Sequence, residues 1–156
     1  ADFFHTPRDR AYTAGLLADV GRLALLACYP NEYGNLLEVA RENDFDLLEC
    51  ERQMFDIDHS AAGEWLARHW NLPEYLVEAI GLHHSSDAAP ESIAGIVAAA
   101  DAIADAAGFA SPPMPASRRV EEILAGLPIR EQESAQSAFA NIAEAIERAL
   151  SAFAPR

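Results

Sequence analysis

Five ionisable side chains, Asp19, His59, His83, His84 and Asp101, stand where a helical bundle would place apolar residues. Asp19 continues a stripe of Tyr12, Leu16, Leu23 and Leu26 at helical spacing. His59 continues Ala62, Gly63, Leu66 and Trp70, and His84 follows Leu76, Val77 and Ile80. Residues three and four apart share a helix face, so each group is expected to look inward. A polar or charged group removed from water is costly unless it is hydrogen-bonded, paired or bound to a metal. The five groups therefore either surround an ion or satisfy one another.

The punctuation of the chain is helical almost throughout. Thr6-Pro7 is a helix start, with Thr6 as N-cap and Pro7 at the first helical position. That helix should run to Cys28, with Gly21 marking a kink or a close contact. Further helices are predicted over about 31–42, 47–54, 58–70 (capped by Asp58), 73–84 and 90–107, the last closed by Gly108. Prolines 112, 113 and 115 mark residues 109–116 as a linker. A short helix over 117–125 and a longer one over 129–153 follow. The longer one carries an apolar stripe of Phe139, Ile142, Ile146, Leu150 and Phe153 that needs cover from the domain or from a second chain. No strand alternation and no internal repeat are visible. The predicted fold is all-α, with residues 1–108 as the main domain and 117–156 as a C-terminal helical extension.

At 156 residues, 51% of them apolar, the chain can bury a real core. Its net charge of −14 disfavours nucleic acid and anionic membrane surfaces as partners. No signal peptide and no bilayer-spanning apolar run are expected. Cys28 and Cys50 lie in no CxxC motif, so reduced thiols and a cytoplasmic location are the expectation. No serine or cysteine nucleophile motif and no glycine-rich phosphate loop occur. His69 reads as a surface residue, and Trp65 and Trp70 as core, or partner-facing if exposed.

Between about Ala11 and Gly108 the chain resembles the HDOD family, bacterial relatives of the HD metal-dependent phosphohydrolases. Three segments carry the resemblance: AGLLADVGRLAL at 14–25, DHSAAGEWLARHWNLPEYLVEAIGLHH at 58–84, and AAADAIA at 98–104. The resemblance implies an HD-like helical bundle. It also implies a metal centre built from a His-Asp pair, an earlier His and a later Asp. Here the pair reads Ala18-Asp19, the later Asp is Asp101, and only His5 stands upstream. His59, His83 and His84 resemble the additional histidines of the HD-GYP branch, which hydrolyses cyclic di-GMP, but the GYP segment is absent after His84. HDOD domains usually carry further helices before the first of these segments.

With the central ligand set incomplete, the expectation is a non-catalytic signalling or regulatory module. It would act by binding a protein partner, or a second copy of itself, in a bacterial pathway. Its imidazoles would hydrogen-bond Asp19 and Asp101 and so hold helices together. No cofactor is then required. The alternative is a divalent metal at Asp19, His59, His83, His84 and Asp101, serving a phosphohydrolase that acts on a nucleotide or cyclic dinucleotide.

Overall fold

The computed structural model describes residues 6–106, together with residues 125, 141 and 148. The expectations for His5, the 109–116 linker and the helices beyond it lie outside the described residues. Within them the chain forms seven helices: α1 (Arg8–Leu17), α2 (Val20–Cys28), α3 (Pro30–Asn43), α4 (Leu47–Phe55), α5 (His59–His69), α6 (Glu74–Leu82) and α7 (Ile93–Ala106). No strand occurs among the described residues, and the fold is all-α.

Local chemistry explains most of the boundaries. Asp46 caps α4 by accepting from the Glu49 N–H, and Asp58 caps α5 by accepting from the Ala61 N–H at 2.8 Å. Pro30 opens α3 at a position where its missing N–H forfeits no helical hydrogen bond. Asp44 and Asp56 end α3 and α4 in the left-handed conformation. Several starts differ from expectation, α6 among them, which begins at Glu74 after Pro73. α1 begins after Pro7 with no side-chain cap bond, and α7 begins after Ser92, whose hydroxyl accepts from the Gly95 N–H at 3.0 Å. The first predicted helix is interrupted, at Ala18–Asp19 and not at Gly21.

Gly21 and Gly63 are where α2 and α5 cross. A Cβ built on Gly21 would meet the His59 carbonyl oxygen and lie 2.7 Å from the Gly63 backbone nitrogen. The absence of both side chains lets the two backbones touch. On either side of the crossing lie three apolar clusters. Ala14, Ala18, Leu76, Ala79 and Val97 join α1, α6 and α7. Leu25, Tyr33, Leu36, Ala40 and Leu47 join α2, α3 and α4. Ala67, Val77 and Ile80 join α5 and α6.

This packing corrects the inward stripe expected on the first helix. Tyr12, Leu16, Leu23 and Leu26 are exposed, the first three at 73%, 70% and 67%. The buried face is Ala14, Ala18, Gly21 and Leu25. Helical period fixes which residues share a face, and close backbone approach selected the face of small residues. An 18-residue window within the Arg8–Cys28 run has a mean hydropathy of 1.3, so by length and composition alone the run is apolar enough to cross a membrane. Its small-residue face is seated on α5, α6 and α7.

Candidate metal centre

Three parts of the fold converge beside the glycine crossing. The α1–α2 interruption presents Asp19, the first residue of α5 is His59, and the end of α6 supplies His83 and His84. Neighbours within a helix point about 100° apart. His83 and His84 reach one place because α6 stops at Leu82 and the chain turns there.

One ligand atom from each of Asp19, His59, His83 and His84 lies within 4.8 Å of the others. The His59 Nε2 is 3.3 Å from Asp19 Oδ1, and the His83 Nε2 is 3.8 Å from the same oxygen. The His83 and His84 ring centroids are 4.0 Å apart, and His84 meets the His59 ring edge-on at 5.1 Å. Asp101, on α7, stands outside this group of four; its Oδ2 is 3.8 Å from the His84 Nδ1. The fifth residue of the expected set is thus adjacent to the cluster and not within it.

The ring protons of His59 and His83 are fixed by what faces Nδ1. The His83 Nδ1 donates to the Ile80 carbonyl at 2.8 Å, satisfying an acceptor that the end of α6 leaves free. The His59 Nδ1 donates to Glu51 Oε2 at 2.7 Å. Both rings therefore turn Nε2 toward the cluster. The Nε2 atoms of His59, His83 and His84 are all buried without a hydrogen-bond partner.

Charge is organised around them. Asp19, half-exposed, pairs with Arg22 at 3.0 Å. Burial raises the Asp19 pKa, but the facing His83 ring, the Arg22 guanidinium and the His59 imidazole outweigh it and hold the carboxyl at about 2. Burial, then repulsion from His83 and His59, pushes His84 down to about 3, so it is neutral near pH 7. Burial and the Asp19 charge push Asp101 up. One turn further along α7, burial and Asp101 push Asp105 up to about 6.

The imidazoles do face the two carboxylates as expected, His59 and His83 toward Asp19 at 3.3 and 3.8 Å and His84 toward Asp101 at 3.8 Å. The short bonds of His59 and His83 go to Glu51 and a backbone carbonyl, and the separations from Asp19 and Asp101 are longer. Glu51 belongs to no motif in the sequence. It is fully buried on α4, and its only sequence signal is its place one turn after buried Leu47. Ala18, at the position of the pair's missing His, is buried among Ala14, Leu76, Ala79 and Val97, so the core fills that place. His69 is exposed and stacks on Trp65 with rings 4° from parallel. Trp65 and Trp70 are exposed, at 65% and 53%.

The donor set fits a divalent metal. An imidazole in its neutral form offers one lone pair at Nε2, and Asp19 offers an anionic oxygen. Three nitrogens and one carboxylate oxygen are a usual donor set for zinc and its first-row neighbours. A single water has two protons and cannot serve three imidazole acceptors and a carboxylate at once.

The family model of the HDOD domain matches residues 3–86, a span that contains Asp19, Glu51, His59, His83 and His84. A Treponema pallidum (strain Nichols) chain named "Uncharacterized protein" is 33% identical over 81 residues. That alignment covers 52% of this chain and 16% of the relative, so the present chain spans only a small part of the relative's length. No solved structure matches.

Proposed function

This chain belongs to the HDOD family, and on that premise we propose that it is a non-catalytic regulatory module that works through a protein partner in a bacterial signalling pathway, with a divalent metal as an internal brace. The observation that carries the reading is the set of three buried Nε2 atoms without partners around one carboxylate. Asp19, His59, His83 and His84 would hold the metal, joining the α1–α2 junction to α5 and α6. Four protein ligands around one ion are the mark of a structural centre, whereas catalytic zinc centres keep a position for water. The buried Ala18, in place of the pair's His, points the same way. A partner has surface to engage in the exposed Tyr12, Leu16 and Leu23 of α1–α2 and in Trp65 and Trp70.

A second reading has its own observation in favour. Asp19 is half-exposed, and Asp101 flanks His84 as a further carboxylate. A metal reached from solvent there would supply Lewis acidity to a nucleotide or cyclic dinucleotide phosphoester.

Metal analysis and hydrolysis assays on the same preparation separate the two. The expected result is about one equivalent of a first-row divalent metal. Occupancy should fall in a His59→Ala, His83→Ala double variant, and cyclic di-GMP or bis(p-nitrophenyl) phosphate should be hydrolysed no faster than by an Asp19→Ala control. Turnover that disappears in the control would establish the phosphohydrolase reading. Failure to bind zinc, iron or manganese, even when supplied, would remove the metal from the proposal.

A further inference from the structure

Glu51 is the most enclosed acidic side chain among the described residues, with no exposed surface, and it takes three hydrogen bonds. The Tyr33 hydroxyl donates to Oε1 at 2.6 Å. The His59 backbone N–H donates to Oε2 at 2.8 Å, and the ring Nδ1 meets the same oxygen at 2.7 Å. The backbone N–H can only donate, so it marks Oε2 as an accepting oxygen. The ring nitrogen facing that oxygen must then carry its proton.

We infer that Glu51 is the positioning residue of the metal centre, holding His59 in the Nδ1–H tautomer so that Nε2 presents a lone pair beside Asp19. The inference rests on the metal reading above. Its physical logic is a competition between two carboxylates for one proton. Glu51 sits 2.7 Å from Nδ1 and Asp19 sits 3.3 Å from Nε2. If Glu51 is removed, Asp19 is the nearest acceptor, and the proton moves to Nε2, the atom that would bind the metal. Carboxylates behind a metal-bound histidine act in this way generally, and their loss costs about 10- to 100-fold in metal affinity.

Glu51 also fixes where the ring is. By accepting the first N–H of α5 it anchors the helix start that carries His59, since early helical N–H groups have no partner within the helix. Tyr33, buried on α3, holds the other oxygen, and burial together with the neighbouring Glu51 carboxylate raises the Tyr33 pKa, so its hydroxyl stays protonated and remains a donor. The chain of contacts runs from α3 through α4 to the ring on α5, and each member has its acceptor or donor defined by the next.

The test uses the metal-free protein first. Long-range 1H–15N correlation of the histidine rings should show His59 with its proton on Nδ1. A proton on Nε2 overturns the inference whether or not metal binds. Zinc titration by calorimetry should then give an affinity about 10- to 100-fold weaker in Glu51→Met, with the His59 proton shifted to Nε2. Glu51→Gln can place its amide oxygen where Oε2 accepts, so it should keep the Nδ1–H tautomer and bind zinc more tightly than Glu51→Met. A folded Glu51→Met protein that keeps both tautomer and affinity would show that Glu51 is structural only, and would overturn the inference. If Glu51→Met does not fold, the wild-type tautomer and the Gln variant still decide it. A wild-type protein that binds no zinc would instead count against the metal reading, leaving the tautomer to judge Glu51.

Discussion

Gly21→Ala is the smallest change that should disturb both the fold and the metal centre. The added Cβ would meet the His59 carbonyl oxygen and lie 2.7 Å from the Gly63 nitrogen, against the 3.4 Å at which ordinary contact begins. Both obstacles are backbone, so no side chain can swing aside. α2 must withdraw from α5 by about 0.7 Å to clear the Gly63 nitrogen, the difference of those two figures, and further still to clear the nearer His59 carbonyl oxygen. Overpacking of this kind costs about 1–3 kcal/mol, and a clash with rigid backbone belongs at the upper end. Replacing glycine by alanine inside a helix returns about 1 kcal/mol, so the net loss should be about 2 kcal/mol. Gly15→Ala is the control: nothing lies within 4 Å of the position of its Cβ, and a gain of about 0.5–1 kcal/mol is expected. Urea denaturation of the two variants should place them about 3 kcal/mol apart. Withdrawal of α2 also carries Asp19 away from His59, so Gly21→Ala should bind zinc more weakly and Gly15→Ala should not. If Gly21→Ala is as stable as Gly15→Ala, the α2–α5 crossing is not as close as described.

The face assignment of α1–α2 is checked by leucine substitutions: Leu25→Ala, with Leu25 buried at 4% exposure, should cost about 2–5 kcal/mol, while Leu16→Ser and Leu23→Ser should stay within about 0.5 kcal/mol in urea melts. The Asp105 pKa is raised on folding from 3.8 to about 6, so its favourable contribution is complete below pH 3.8 and is lost as pH rises through about 6. Asp105→Asn should therefore stabilise the protein at pH 7–8, an advantage that vanishes below about pH 4; an unchanged urea midpoint at pH 7.5 would count against the burial of that carboxyl. His84 has the opposite dependence: its pKa falls on folding from 6.5 to about 3, so its contribution is present above pH 6.5 and is lost as pH falls toward 3. His84→Asn should accordingly flatten the acid limb of the stability profile over that window.

The helical fold could be read from the chain because its punctuation is local. Asp58 three residues before Ala61, Pro30 at a helix start and the prolines and glycines between segments each act within a turn of their own position. The gathering of His59, His83 and His84 could be read because imidazoles in apolar stripes are rare enough to signal, whereas the stripe that drew attention to Asp19 faces outward. The choice of face on α1–α2 could not. Period sorts Tyr12, Leu16 and Leu23 from Ala14, Ala18 and Gly21, but leaves open which set goes inside. Bulk favours the first set, whereas contact between Gly21 and the α5 backbone requires the second. That contact depends on Gly63, which lies on another helix and outside the reach of any local pattern.

Glu51 shows the same limit at the level of chemistry. Glutamate is a good helix former, and the chain has 25 acidic residues, so one more on a short helix carries no signal. What distinguishes it is the company it keeps in space: Tyr33 eighteen residues before it and His59 eight residues after it. The side chains that would touch a metal announce themselves by type, because few residues have the lone pairs to do it. The side chain that sets their protons needs only an acceptor in the right place, and many residues supply one. For that reason ligands can be proposed from sequence, while the group that tunes them becomes visible only once the helices are assembled. A wild-type His59 ring protonated at Nδ1 would tie the two levels together, since that proton is placed by a residue with no motif of its own.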